Sequence, residues 1–221
     1  MKYLPLLFIS MLFSSCSSAE TEPKTGLPLV FAEDFEKGRD NWTVTDEKSW
    51  KHQQEENGNH VFSVIRRKSH YKPKFRSPGH IALIKGLELE DFVLMYKVKG
   101  PFPERPAHRD SCAFFCYQNP NQFYYVHTGM KPDPYSGQVM LVNKAPRKAI
   151  TKNKNKTPWK ENVWHQVKVV RDSKSGLIEI YFDDMNNPYI KVKDTTFGRG
   201  QIGIGTFDDI NHFDDIKVYG K

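Results

Sequence analysis

The run CAFFCYQNPNQFYYVHT, Cys112 to Thr128, is aromatic on both sides of a short polar centre. Its flanks read as two β-strands. Between them Gln118-Asn119-Pro120-Asn121-Gln122 reads as a turn, because Asn and Pro favour chain reversal and Pro cannot donate to a ladder. Side chains alternate along a strand, so Cys112, Phe114 and Cys116 are expected on one face and Ala113, Phe115 and Tyr117 on the other. In the return strand Phe123, Tyr125 and His127 share a face, opposite Tyr124, Val126 and Thr128. A strand that is aromatic on both faces needs a core on one side. On the other it needs either a second layer or a groove that receives a ligand. The run points to a binding surface more directly than to a reaction.

Outward from this hairpin, helical periodicity is nearly absent. Short apolar runs recur instead: 29–34, 60–65, 80–84, 92–98, 111–117, 123–128, 138–142, 165–171, 177–182, 190–192, 201–206 and 212–219. Turn signals separate them, at Glu56-Asn57-Gly58-Asn59, Ser173-Lys174-Ser175-Gly176 and Asp184-Met185-Asn186-Asn187-Pro188. Short strands with this punctuation predict an all-β fold, a two-sheet antiparallel sandwich. In 165–171, Val167 and Val169 alternate with Gln166 and Lys168. In 177–182, Ile178, Ile180 and Phe182 alternate with Glu179 and Tyr181. The two runs therefore read as a hairpin with one wet face. Gly203 and Gly205 alternate with Ile202 and Ile204, which leaves room for a large side chain or a ligand. No sequence period appears, which argues against a propeller or solenoid.

The first residues have the layout of an export signal: Lys2, an apolar run from Tyr3 to Phe13, then Ser14 and Ser15 before Cys16. The run is too short to span a bilayer as a stable helix. LFSSC resembles a bacterial lipoprotein signal, in which the Cys becomes the lipidated N-terminus. The expected organisation is a signal peptide over 1–15, a flexible polar tether over 16–26 and one domain over 27–221. The protein is then an exported cell-envelope lipoprotein, facing outward or into the periplasm, held to the membrane through Cys16. Cys112 and Cys116, four residues apart in one strand, would lie roughly 13 Å apart. That is beyond disulfide reach, so both are expected as free thiols. The net charge of +7 favours anionic partners. Two basic segments, Arg66–His80 and Asn143–Lys160, read either as solvated loops or as a cationic rim for an acidic polymer. No nucleic-acid-binding motif is present.

The runs YQNPNQFYYVHTG, WHQVKVVRDSKSGLIEIYFDD and GQIGIGTFDDINHFDDIKVYG, with the opening AEDFEKGRDNW, resemble the concanavalin A-like lectin/glucanase superfamily. Within it they are similar to the laminin-G-like and 3-keto-disaccharide hydrolase-like domains of bacterial lipoproteins. The resemblance covers 27–221 and implies a jelly roll, with any sugar bound on the concave sheet. It leaves three functions open: a carbohydrate-binding domain, a glycoside hydrolase of the 3-keto-disaccharide type, and a protein-interaction scaffold.

A retaining glycosidase needs two carboxylates about 5–5.5 Å apart. The Glu-x-Asp-x-x-Glu run of the superfamily's glucanases is absent. Glu33-Asp34-Phe35-Glu36 opens the domain at an edge, and Glu88-Leu89-Glu90-Asp91 reads as a solvated turn. The candidate catalytic cluster is His127 with His108 and Asp110, since histidine serves as base or metal ligand near neutral pH. Candidate sugar contacts are the rings of Tyr117, Tyr125, Tyr135 and Trp159, with Arg109, Arg76, Lys74 and Asn143 as polar partners. Trp42, Trp50 and Trp164 are assigned to the core or its rim. Asp34, Asp214 and Asp215 are brought together if the first and last strands pair. The resemblance implies a structural Ca2+ there, which such hard oxygen ligands suit.

Overall fold

The computed structural model describes residues 20–102 and 109–221. In chain order these hold β1 (Leu29–Glu33), β2 (Trp42–Val44), β3 (Trp50–Gln54), β4 (His60–Val64), β5 (His80–Leu89), β6 (Phe92–Lys99), β7 (Cys112–Asn119) and β8 (Gln122–His127). They continue with β9 (Gln138–Asn143), β10 (Lys148–Ala149), β11 (His165–Asp172), β12 (Leu177–Phe182), β13 (Ile190–Lys193), β14 (Gly200–Thr206) and β15 (Asn211–Gly220). One sheet runs β13-β12-β11-β6-β15-β4-β3, with β1 also paired to β15; the other runs β10-β9-β8-β7-β14-β5-β2. All pairings are antiparallel. The first and last strands pair, with Glu33 opposite Ile216.

The inward faces of the sheets enclose one core. Val167 and Val169 of β11 and Ile178 and Ile180 of β12 supply it from one sheet, and Ala113, Phe115, Tyr124 and Val126 from the other. Trp42 and Trp50 lie in this core, and Trp164 is half-buried beneath the Lys99 ammonium. Arg171 is 2% exposed, yet its guanidinium is paired. It donates to the carbonyls of Gly176 (2.8 Å), Asp194 (2.9 Å) and Phe197 (2.9 Å) and lies over the Tyr124 ring. A buried cation is tolerated only when its donors are matched in this way.

The central hairpin departs from simple alternation at Cys116, whose φ is 48°. There β7 carries two more residues than β8 and one more than β14, a β-bulge. Phe115 and Cys116 both turn to the core, and Tyr117 joins Cys112 and Phe114 on the outer face. Strict alternation placed Cys116 and Tyr117 the other way round. Gly200 faces the bulge, where an added Cβ would stand 2.4 Å from the Cys116 carbonyl carbon. Gly203 and Gly205 have a similar cause: the Ala82 and His80 carbonyls of β5 approach them, leaving space for neither ring nor ligand. Cys112 and Cys116 are buried free thiols.

The outer face of the second sheet is covered by a second layer. Ile81, Cys112, Phe114, Tyr117, Phe123, Tyr125, Met140 and Val142 form a smaller cluster against which Tyr71 and Phe75 pack. The basic segment Arg66–His80 is thus a lid that carries its own apolar contacts. Asp46 anchors it, accepting from the His70 amide (2.8 Å) and the Ser49 hydroxyl (2.6 Å).

Two other expectations are corrected. Glu88 and Leu89 belong to β5, and Asp91 accepts from the Ser173 amide and hydroxyl (2.8 and 2.7 Å), so this acidic run is structured. Within the expected tether, 20–26 packs on the domain. The Glu22 carboxylate caps the Lys24 and Thr25 amides (2.9 and 2.7 Å), and Glu20 meets Lys217 and Tyr219. Signal residues 1–15 and Cys16 lie outside the described residues.

The Ser49 hydroxyl and His70 amide hold the Asp46 carboxyl down at about 2, from an ordinary 3.8. Its contribution is therefore fully present above pH 3.8 and is lost as the pH falls through about 2. Asp46→Ala should lower stability by about 1–2 kcal/mol at neutral pH. In urea denaturation at stepped pH, its deficit against wild type should close over that acid window.

Candidate functional site

At one end of the second sheet, Asp110 lies two residues before Cys112 at the start of β7, and His127 ends β8. Cys112 and His127 are direct cross-strand partners. Such pairs on one face stand side by side, and the i, i+2 spacing brings Asp110 to the same place. Asp110 and His127 are 3% and 8% exposed. His127 Nδ1 donates to the Tyr135 carbonyl (2.8 Å), and Nε2 lies 3.5 Å from Asp110 Oδ2. The imidazole also stacks on Phe207, with centroids 5.7 Å apart and planes inclined by 18°.

Asp110 is held from several directions. Its Oδ1 accepts from the Thr206 hydroxyl (2.7 Å) and the Phe207 amide (2.9 Å), and Asn211 Nδ2 donates to its backbone carbonyl (2.7 Å). Burial pushes its carboxyl up, but the His127 charge and these hydrogen bonds outweigh burial and leave it below the ordinary carboxylate range. Burial likewise opposes a charge on His127. Asp110 and the Tyr135 carbonyl overcome it, and the imidazole is raised above its ordinary value. At neighbouring Asp209, burial and the Asp110 charge push the carboxyl up to about 6, against the pull of Arg67 at 3.3 Å.

Above this pair opens a cleft of about 430 Å³. Arg76, Arg109, Lys131 and Arg147 line it together with Asp110, Asp133 and Asp208. The Arg147 guanidinium lies 4.4 Å from the Phe207 ring centroid and 5.1 Å from that of Tyr135, and donates to the Tyr125 hydroxyl (3.0 Å). Arg76 lies 5.5 Å from the centroid of the same Phe207 ring. Tyr135 is 56% exposed at the rim. The cleft thus gathers planar cations, a half-exposed tyrosine ring and three acidic side chains.

The structure brings together Asp110, His127, Arg76, Arg109 and Tyr135 from the candidates read in the sequence. It sends others elsewhere. Tyr117 and Tyr125 are buried in the outer cluster beneath the lid, so neither ring is available for sugar stacking. Trp159 lies in the inter-sheet core, where its indole donates to the Thr128 carbonyl (2.6 Å). Lys74 is exposed beside Phe75, and Asn143 is exposed at the end of β9; neither lines the cleft. His108 lies outside the described residues. Arg147, Lys131 and Phe207 were not singled out in the sequence. Arg147 sits in the basic segment 143–160, but its position against Phe207 depends on packing of the two loops.

Asp34 and Asp215 line one shallow depression with Lys37 and Lys217. Asp215 pairs with Lys97 at 2.5 Å, and Asp214 accepts from Asn59 (2.9 Å). A Ca2+ ion there would have to displace Lys97 and compete with two further lysines.

No protein-family model matches the sequence, and no curated protein matches it. Solved structures do resemble the fold. A carbohydrate-binding module, CBM66 from Bacillus subtilis, superposes with a TM-score of 0.59 at 16% identity, covering 81% of this chain and 96% of that one. Lectin II from Ulex europaeus gives 0.55 at 8% identity, over 86% and 97%. Domain 4 of AbnA, an extracellular arabinanase from Geobacillus stearothermophilus solved with arabinotriose, gives 0.53 at 11%, over 87% and 92%. At these identities the likeness defines the fold, a lectin-type jelly-roll β-sandwich.

Removing Asp110 would leave the Thr206 hydroxyl, the Phe207 amide and the His127 imidazole without their buried partner. Asp110→Ala should cost about 3–5 kcal/mol. The Asp110→Ala/His127→Ala double variant should cost less than the sum of the two single changes, because they remove one interaction. Urea unfolding of the three variants measures both.

Proposed function

We propose that this domain binds a carbohydrate carrying carboxylate or sulfate groups, in the cleft between Arg76, Arg147 and Tyr135. The observation that carries the reading is the pairing of two guanidinium planes with an accessible tyrosine ring in one concavity. A sugar presents an apolar ring face and a hydroxylated edge, which suits an aromatic beside polar groups. Guanidinium forks match planar or tetrahedral anions two bonds at a time. The fold shared with carbohydrate-binding modules and lectins supports the same reading, as does the net charge of +7. The concave-sheet stacking surface that the family resemblance implies is not invoked, because the aromatic outer face of β7–β8–β9 is covered.

A hydrolytic role draws no support from His127, since both ring nitrogens face protein acceptors. The N-terminal sequence supports an exported, Cys16-anchored domain that meets its glycan in the cell envelope. Palmitate labelling in the native host should then be present in wild type and absent from Cys16→Ser.

Calorimetric titration with oligouronate and with neutral oligosaccharides of equal length tests the main reading. The acidic ligand should bind more tightly, and its affinity should fall as salt screens the rim. Arg147→Ala and Tyr135→Ala should each weaken binding about tenfold or more, the loss expected when a charge-assisted or stacking contact is removed. Equal affinity for neutral and acidic sugars would remove the anionic part of the proposal. Binding unaffected by both substitutions would remove the cleft.

A further inference from the structure

Asp110, Cys112 and His127 each offer one ligand atom, and the three atoms lie within 4.8 Å of one another. Among the described residues this is the one such group of three. The donors are a carboxylate, a thiol and an imidazole, a set that suits a borderline-soft divalent ion.

The geometry around the trio is that of a supported metal site. His127 Nδ1–H is committed to the Tyr135 carbonyl at 2.8 Å, which turns Nε2 toward Asp110. Asp110 Oδ1 is fixed by Thr206 and the Phe207 amide, which leaves Oδ2 facing Nε2. Metal-ligating histidines characteristically donate their other N–H to a carbonyl or carboxylate, and ligating carboxylates are themselves hydrogen-bonded. The separation from Nε2 to Oδ2 is 3.5 Å. That is long for a charged N–H···O bond, about 2.7–2.9 Å. It is close to the roughly 3.3 Å that separates N and O ligands across a tetrahedral zinc with bond lengths of about 2.0–2.1 Å. Cys112 stands opposite His127 across the ladder.

We infer that Asp110, Cys112 and His127 form a Zn2+ site at the floor of the cleft. The Cys112 thiol and His127 Nε2 release their protons to solvent on binding, and the thiolate and carboxylate together balance the ion's two charges. Three protein ligands leave a fourth position. Asp110 and His127 line the cleft, so a water molecule or a ligand oxygen reaches that position from there.

The test loads the full chain with Zn2+ or Co2+ after chelator treatment, then desalts it. Expected are one equivalent of retained zinc per chain and, with cobalt, the intense visible bands of a tetrahedral ion with a thiolate-to-metal charge-transfer band. Cys112→Ser, which preserves side-chain size, should abolish that band and weaken metal affinity at least tenfold. Thr206→Val, one step out from the ion, should weaken it about tenfold. Circular dichroism and thermal melting of the metal-free variants establish that they fold. The stacked pair His52 and His60, with centroids 5.2 Å apart, is the internal control. Metal retained by Cys112→Ser but lost from His60→Ala would overturn the assignment. So would an octahedral cobalt spectrum, or no retained metal in the folded wild type. Sugar binding is read separately, so failure of the zinc site and failure of the glycan reading are distinguishable.

Discussion

The bulge at Cys116 is the constraint on which the rest of this molecule depends. Its left-handed backbone advances β7 against its neighbours: Asn119 pairs with Gln122 at the turn, whereas Phe115 pairs with Tyr124 and Cys112 with His127 further along. Without that shift His127 would stand opposite Phe114 rather than Cys112. The bulge also sends Tyr117 outward to complete the aromatic cluster beneath the lid, and it explains why position 200 must be glycine. Bulges often re-aim side chains beside binding sites, and here the consequence is a three-residue polar group at a strand end.

That group is costly to bury, and the surrounding structure is arranged to satisfy it. Asp110 joins the start of β7 to the end of β14 through Thr206 and Phe207, and to β8 through His127. An unpaired carboxylate at this depth would cost several kcal/mol, about as much as a large part of a domain's net stability. The same contacts hold Phe207 in place. Its ring in turn supports His127, Arg147 and Arg76. The proposed recognition surface is therefore an extension of the buried network, with its cations stacked on aromatic rings without any ligand. Such preorganisation reduces the ordering cost of binding.

Much of the fold was legible in the sequence. Strands such as β11 and β12 bury one face, and their alternation and turn residues identify them. The closing pair β1–β15 entered only as the condition for bringing Asp34 near Asp214 and Asp215. β2, β3 and β10 were not legible, for physical reasons. β2 and β10 are too short to show a period. β3 (WKHQQ) lies at the sheet edge, where only Trp50 must be buried. The site was partly legible. His127, Asp110, Arg76, Arg109 and Tyr135 stood out by residue type, but the aromatic platform was misjudged because Tyr125 and Tyr117 lie under a lid that carries Tyr71 and Phe75. The pairing of Cys112 with His127 was hidden by the bulge, since register errors move every partner along the ladder.

The central claim is that an acidic saccharide enters the Arg76–Arg147–Tyr135 cleft. Amide chemical-shift mapping during titration with a short acidic oligosaccharide tests this without any substitution. The account predicts shifts concentrated in 131–136 and at Arg147 and Phe207, with β3, β4 and the β12–β13 edge unchanged. Saturable shifts centred on β3–β4 or on the β12–β13 edge, with the cleft silent, would contradict it.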